Sequence, residues 1–72
     1  MIPTSDEIKE AMRYGISVSY NGIIYKHINA YIYRIIKERD GSRRAVMQVE
    51  LADRYGNAVV IAPTDKIEIL EN

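Results

Sequence analysis

Residues 23–37 read IIYKHINAYIYRIIK, a run without Gly, Pro or an acidic residue in which Ile and Tyr hold most positions. β-Branched and aromatic side chains suit a pleated, half-buried surface, so the run reads as one long strand. Turn signals flank it: Asn21-Gly22 before and Asp40-Gly41 after, each followed by a further apolar segment. A two-residue loop at Asn21-Gly22 puts Ile16, Val18 and Tyr20 on one face with Ile23, Tyr25 and His27. A two-residue loop at Asp40-Gly41 sets Ile36 opposite Ala45, Arg34 opposite Met47, Ile32 opposite Val49 and Ala30 opposite Leu51, an inner face that is apolar apart from Arg34. The outer face then holds Lys37 with Arg44, Ile35 with Val46, Tyr33 with Gln48 and Tyr31 with Glu50, while Glu38 faces Arg43 as a cross-strand charge pair. The inner positions are odd-numbered in the first hairpin and even-numbered in the second. One extra residue between Lys26 and Asn29 reconciles them, so the sequence predicts a bulge or sharp bend there.

Outward from this strand, the rest of the chain falls into short segments. Thr4 and Glu7 have capping-box spacing, Asp6 and Glu7 favour a helix start, and Ile8, Ala11 and Met12 share a stripe that ends before Gly15. The spacing predicts a helix over 5–14, followed by strands over 16–20, 23–37, 43–52, 58–62 and 67–70. Tyr55-Gly56-Asn57 supplies the third turn, and Pro63-Thr64-Asp65-Lys66 reads as a turn before the last strand. Val60 and Ala62 point inward on the fourth strand, Val59 and Ile61 outward. Ile32, Val49 and Leu51 are the expected centre of the core.

At 72 residues and 8.3 kDa the chain holds one domain, and a chain of this size buries only about 60% of its unfolded surface. Ten basic and ten acidic residues cancel, which removes the uniform positive field of a strong nucleic-acid binder. Zero Cys excludes disulfides and thiolate metal sites. With 47% apolar residues, no apolar run long enough to span a bilayer and no recognisable leader, the expectation is a complete, cytoplasmic globular protein.

The elements at 16–36, and at 49–70 with Asp53, Gly56-Asn57, Val59 to Pro63 and Ile67 to Ile69, resemble the Src-homology-3-like small β-barrel. That resemblance implies a mainly β fold in which a short N-terminal helix precedes a five-stranded antiparallel barrel. The chain is also similar to uncharacterised small barrels encoded on bacterial conjugative elements and phages. Peptide-gripping members of the signalling type use an aromatic groove that typically includes Trp, and this chain has none. A helix followed by five strands resembles the Sm-like RNA-binding fold as well, and Tyr25-Lys26-His27 matches the Tyr-Lys-His triplet of its bacterial RNA chaperones. Here the triplet lies early in the chain rather than late.

The four glycines are all spent on a helix stop and three turns, which leaves none for a phosphate loop. His27 is the only His, and a lone His at a bulge reads as a satisfied polar residue. Ser17 and Ser19 alternate with core positions and lack a nucleophile-elbow context. The expectation is no catalysis, no cofactor, no metal and no small-molecule substrate. Two surface features remain. Tyr31, Tyr33, Ile35 and Val46 gather on the outer face, more apolar surface than a small monomer usually leaves in water, with the N-terminal helix, a second copy or a protein partner as its cover. Arg34, Lys37, Arg39, Arg43 and Arg44 against Glu38 and Asp40 form a local basic excess beside the Tyr rings. The first feature implies a protein-binding or homodimeric interaction module. The second offers an alternative, single-stranded nucleic-acid binding through the hairpin 31–44, with phosphates on the cations and bases on the rings.

Overall fold

The computed structural model describes residues 2–70. Helix α1 spans Ser5–Tyr14, followed by strands β1 (Val18–Tyr20), β2 (Ile23–Tyr25), β3 (His27–Lys37), β4 (Arg43–Ala52) and β5 (Ala58–Pro63); one 3₁₀ turn, Thr64–Lys66, precedes β6 (Ile67–Ile69). Two antiparallel three-stranded sheets result, ordered β2-β1-β6 and β3-β4-β5. The expected five-stranded closed barrel is therefore corrected to six strands in two sheets, with no pairing that joins β5 to β6. The outcome is mainly β with one short helix, as the residue types imply.

Helix α1 forms for the reasons its sequence carries. Thr4 Oγ1 accepts from Glu7 N at 3.2 Å and Glu7 Oε1 accepts from Thr4 N at 2.9 Å, a closed capping box. Gly15 ends the helix at φ 65°. Ile8 and Ala11 are buried, and they join Val18, Ile28, Val49, Leu51, Ala62 and Ile67 in a single cluster between helix and sheets. The helix thus covers the core, packed against β3, and leaves the outer part of the β3–β4 hairpin bare.

The first hairpin has the expected register. Val18 faces Tyr25 and Tyr20 faces Ile23, with Asn21 at φ 53° and Gly22 at φ 77° forming a type I′ turn. The chain then breaks where the parity argument requires, but twice. The strand interrupts at Lys26, whose N–H turns to Ala52 O, and Asn29 has no partner because Ile28 faces Leu51 and Ala30 faces Glu50. His27 Nε2 and Asn29 Oδ1 are 2.8 Å apart across this bulge. Core-facing residues along the segment are consequently Tyr25, Ile28 and Tyr31, each three apart.

The second hairpin departs from the expected register by one residue. Its last pair is Lys37 with Arg43, and Tyr31 faces Val49, Tyr33 faces Met47, Arg34 faces Val46, Ile35 faces Ala45 and Ile36 faces Arg44. The loop is bulged and five residues long, and the side chain of Asp40 reinforces it. Where Asn21 adopts the left-handed conformation, Asp40 keeps φ negative and uses its carboxylate to accept from Ser42 N at 2.9 Å and Ser42 Oγ at 2.6 Å. The turn closes instead through Gly41 N to Glu38 O and Glu38 N to Ser42 O, with Gly41 at φ 91° as the bulge residue. Asp53–Asn57 repeats this five-residue loop, with Gly56 N donating to Asp53 O and Asp53 N to Asn57 O.

A one-residue slip exchanges the faces of a strand. Ile32, expected at the core, lies on the far face opposite Gln48, half-buried, whereas Val49 and Leu51 are fully buried as expected. Ala62 is buried, Val60 packs against the core and Ile61 is exposed, in line with the sequence reading; the side chain of Val59 lies outside the described residues. Leu51→Ala should lower stability by about 2–5 kcal/mol, and Ile32→Ala by well under half of that. Chemical denaturation of both variants checks the assignment, and equal losses would contradict it.

Candidate interaction surface on the β3–β4 arm

Strand β5 pairs with β4 only from Gln48 to Ala52, so the outer parts of β3 and β4 project as a two-stranded arm. The molecule is 43 Å long and 23 by 21 Å across. Antiparallel pairing dictates what each edge of the arm presents. Glu38 bonds across the loop to Ser42, so two-residue alternation makes Ile36, Arg34 and Ile32 the residues that bond to β4. The N–H and C=O groups of Tyr31, Tyr33, Ile35 and Lys37 then point away, to the free edge of β3. The same alternation leaves those of Ala45 and Met47 free on the outer edge of β4, beyond Gln48.

The arm has two different faces, and the sequence-expected surface is divided between them. Tyr31, Tyr33 and Ile35 share the core-side face with Val49, Met47 and Ala45. Tyr31 is half-buried against the core, whereas Tyr33 is 66% and Ile35 51% exposed. Val46 lies on the opposite face, beside Arg34, and does not join the Tyr residues. Ala45 and Met47, which take its place, become visible in the sequence only once the loop is given five residues rather than two.

The cations divide in the same way. Arg34 and Arg44 are on the far face, and Arg44 Nε meets Glu38 Oε1 at 2.8 Å. This replaces the expected pair of Glu38 with Arg43. Both groups are well exposed, so the bridge contributes little to stability. Lys37 and Arg43 stand directly opposite each other on the Tyr33 face, a like-charge pair that disfavours the hairpin by a few tenths of a kcal/mol. Arg39 sits in the turn. Five cations converge on the arm's outer half, but only Lys37 and Arg43 share a face with an exposed ring.

On the far face Gln48 Oε1 is a buried acceptor without a donor among the described residues, next to Ile32. A shallow depression of about 370 Å³ lies where β4 leaves β5, lined by Arg44, Val46, Met47, Pro63, Thr64 and Asp65. Elsewhere, Ile23, Ile24 and Tyr55 are exposed, with the Arg54 guanidinium 5.1 Å from the Tyr55 ring centre. Among the described residues no three His, Cys, Asp or Glu side chains group as a metal site, and no helix is long and apolar enough to cross a membrane. No protein family, curated protein or solved structure matches this chain.

The arm's loop carries a pH signature. Hydrogen bonds from the Ser42 hydroxyl, then from its backbone N–H, hold the Asp40 carboxyl below the ordinary aspartate value. A lowered value means that the loop's stabilisation is complete above the ordinary value of about 3.9 and is lost as pH falls through the lowered one. A carboxyl NMR titration should place Asp40 below that value, with the Ser42 amide shift following the same midpoint and Ser42→Ala moving it upward. A midpoint unchanged by Ser42→Ala would contradict the loop geometry.

Proposed function

We propose that this chain is a non-catalytic interaction module that binds protein through the β3–β4 arm. One observation carries the reading: Tyr33 and Ile35 present both exposed side chains and unpaired backbone groups on the same strand. Native sheets usually shield such an edge with Pro, a bulge or charge; residues 31–37 hold no Pro and no bulge, and their charges are confined to Arg34 and Lys37. An edge without a Pro or a bulge accepts another strand, with backbone hydrogen bonds supplying affinity and alternate side chains supplying specificity. We also read the fold as an open relative of the Src-homology-3-like barrels. A bent strand shared by two small antiparallel sheets and a 3₁₀ turn before the last strand support this.

A second reading, single-stranded nucleic-acid binding, is favoured by the uncompensated Lys37 and Arg43 pair beside Tyr33. The two separate by experiment. Tyr33→Ser combined with Ile35→Ser removes exposed groups and should leave the melting temperature within a few degrees of the parent. Affinity capture quantified for parent and variant in parallel should show proteins held by the parent and lost from the variant. A short oligonucleotide should leave the amide shifts of residues 31–44 unmoved at 0.15 M salt. Identical capture by both proteins would sink the protein-binding reading. A complex tighter than about 10 μM, weakening by about three units of log affinity per log salt fewer in Lys37→Ser/Arg39→Ser/Arg43→Ser, would establish the nucleic-acid one.

A further inference from the structure

The occupant of the β3 edge can be narrowed by asking what its alternation, its charge and its one orphaned polar atom fit together. We propose that the edge pairs with a second copy of itself, antiparallel and centred on Tyr33, joining two molecules through a continuous six-stranded sheet. The inference rests on the protein-binding reading of the same edge and names its partner.

A two-fold axis must bring outward-pointing residues opposite each other, so only a few registers are open. Centring on Arg34 opposes two guanidinium groups at the closest kind of antiparallel pair, which is unfavourable. Centring on Ile35 sets Tyr31 against Arg39, which lies in the loop beyond the end of β3 and cannot continue the ladder. Centring on Ile32 sets Ile35 against the bulged Asn29, which cannot continue a ladder. Centring on Tyr33 opposes no two guanidinium groups, keeps the loop out of the ladder and meets the bulge only at its end, where Lys37 falls opposite the partner's Asn29. Tyr33 then meets Tyr33 of the partner subunit, and Tyr31 meets the partner's Ile35 on each side of the axis. These aromatic–aromatic and aromatic–β-branched pairs are among the favourable cross-strand combinations. On the far face Ile32 meets the partner's Arg34 and Ala30 meets the partner's Ile36, with no like charges opposed.

Charge distribution points the same way. The arm from Arg34 to Arg44 holds five cations and two acids, so the remainder of the chain holds five cations and eight acids. Each molecule is neutral overall but positive at the arm and negative elsewhere by the same amount. Antiparallel pairing separates the two positive tips and lays each along the negative remainder of the other molecule. Parallel or tip-to-tip association would do the reverse. The orphaned acceptor fits as well. Gln48, Ile32 and the partner's Arg34 fall in one cross-strand row, the last about 10 Å from the first. An extended Arg side chain spans most of that distance, so the dimer brings a donor towards the Gln48 Oε1, which has none among the described residues.

The absence of native Cys makes the test direct. Tyr33→Cys should form a disulfide with its own copy, whereas Tyr31→Cys and Ile35→Cys should each do so at least about 10-fold more slowly, because two-fold symmetry sets them about 13 Å apart. An equimolar mixture of the latter two should instead cross-link with each other. For the unmodified chain, sedimentation equilibrium should show the apparent mass rising from 8.3 kDa towards twice that value with concentration. Amide exchange at Tyr31, Tyr33 and Ile35 should slow in step, while Ile32, Arg34 and Ile36 stay protected throughout. Ile35→Pro removes only an outward N–H and should give a folded monomer. Should that variant fail to fold, the cross-linking series decides alone. A monomer at about 100 μM, or a dimer whose Tyr33 amide exchanges as fast as in the monomer, overturns the proposal. A monomer that still loses captured proteins on Tyr33→Ser/Ile35→Ser overturns the dimer and keeps the protein-binding reading; a dimer without that loss does the opposite.

Discussion

Everything in this structure depends on one stretch of backbone having to serve two sheets. Segment 23–37 pairs with β1 through its first three residues and with β4 through its last eleven, and the two partners lie in different directions. A straight strand cannot satisfy both. The interruption at Lys26 and the bulge at Asn29 turn the ladder, and their cost is offset locally: Lys26 N–H finds Ala52 O, Ser17 Oγ donates to Lys26 O, and the His27 ring bonds Asn29. Because each break shifts the side-chain parity once, Tyr25, Ile28 and Tyr31 all reach the same core. The helix then closes it with Ile8 and Ala11, and Met12 packs at its margin.

Much of this was legible in the residues. The capping box, the helix stop at Gly15, the type I′ turn and the need for a break before Asn29 follow from local chemistry, and local chemistry is what a sequence states most plainly. The register of the second hairpin was not legible by the same rule, since Asp-Gly serves both two-residue turns and bulged five-residue loops. In the bulged form Ser42 supports Asp40. A hydroxyl and an amide two residues on give the Asp40 carboxylate a forward partner, which holds Asp40 out of the left-handed region. Asn21, followed by Gly22 and Ile23, has no hydroxyl two residues on and takes the left-handed turn. The parallel between Glu38–Ser42 and Asp53–Asn57, each with Gly fourth of five, was present in the chain but carries meaning only when the two loops are compared.

That one-residue difference in register regroups the candidate surface. Tyr33, Ile35 and the set of cations are legible in the sequence, because they follow from composition along the hairpin. Their grouping is not, because grouping is a question of faces. Moving the register by one residue sends Val46 and Ile32 to the far side, brings Met47 and Ala45 to Tyr33, and sets Lys37 against Arg43 rather than Arg44. Whether a basic residue lies beside a ring or behind the sheet is decided by a turn several residues away.

The separation of arm from body has an evolutionary corollary. Residues 34–46 pack on no third strand and contribute nothing to the buried cluster, so the reach of the arm is free to drift without disturbing the core. Only one kind of change is neutral to its geometry: residues gained or lost in opposed couples, two per strand, preserve which side chains share a face. A single insertion on one strand turns the arm inside out beyond that point. Length in this hairpin is thus a heritable variable that moves in even steps, and related chains would be expected to differ there by multiples of four residues while keeping β1, β2 and the two bulged loops in place.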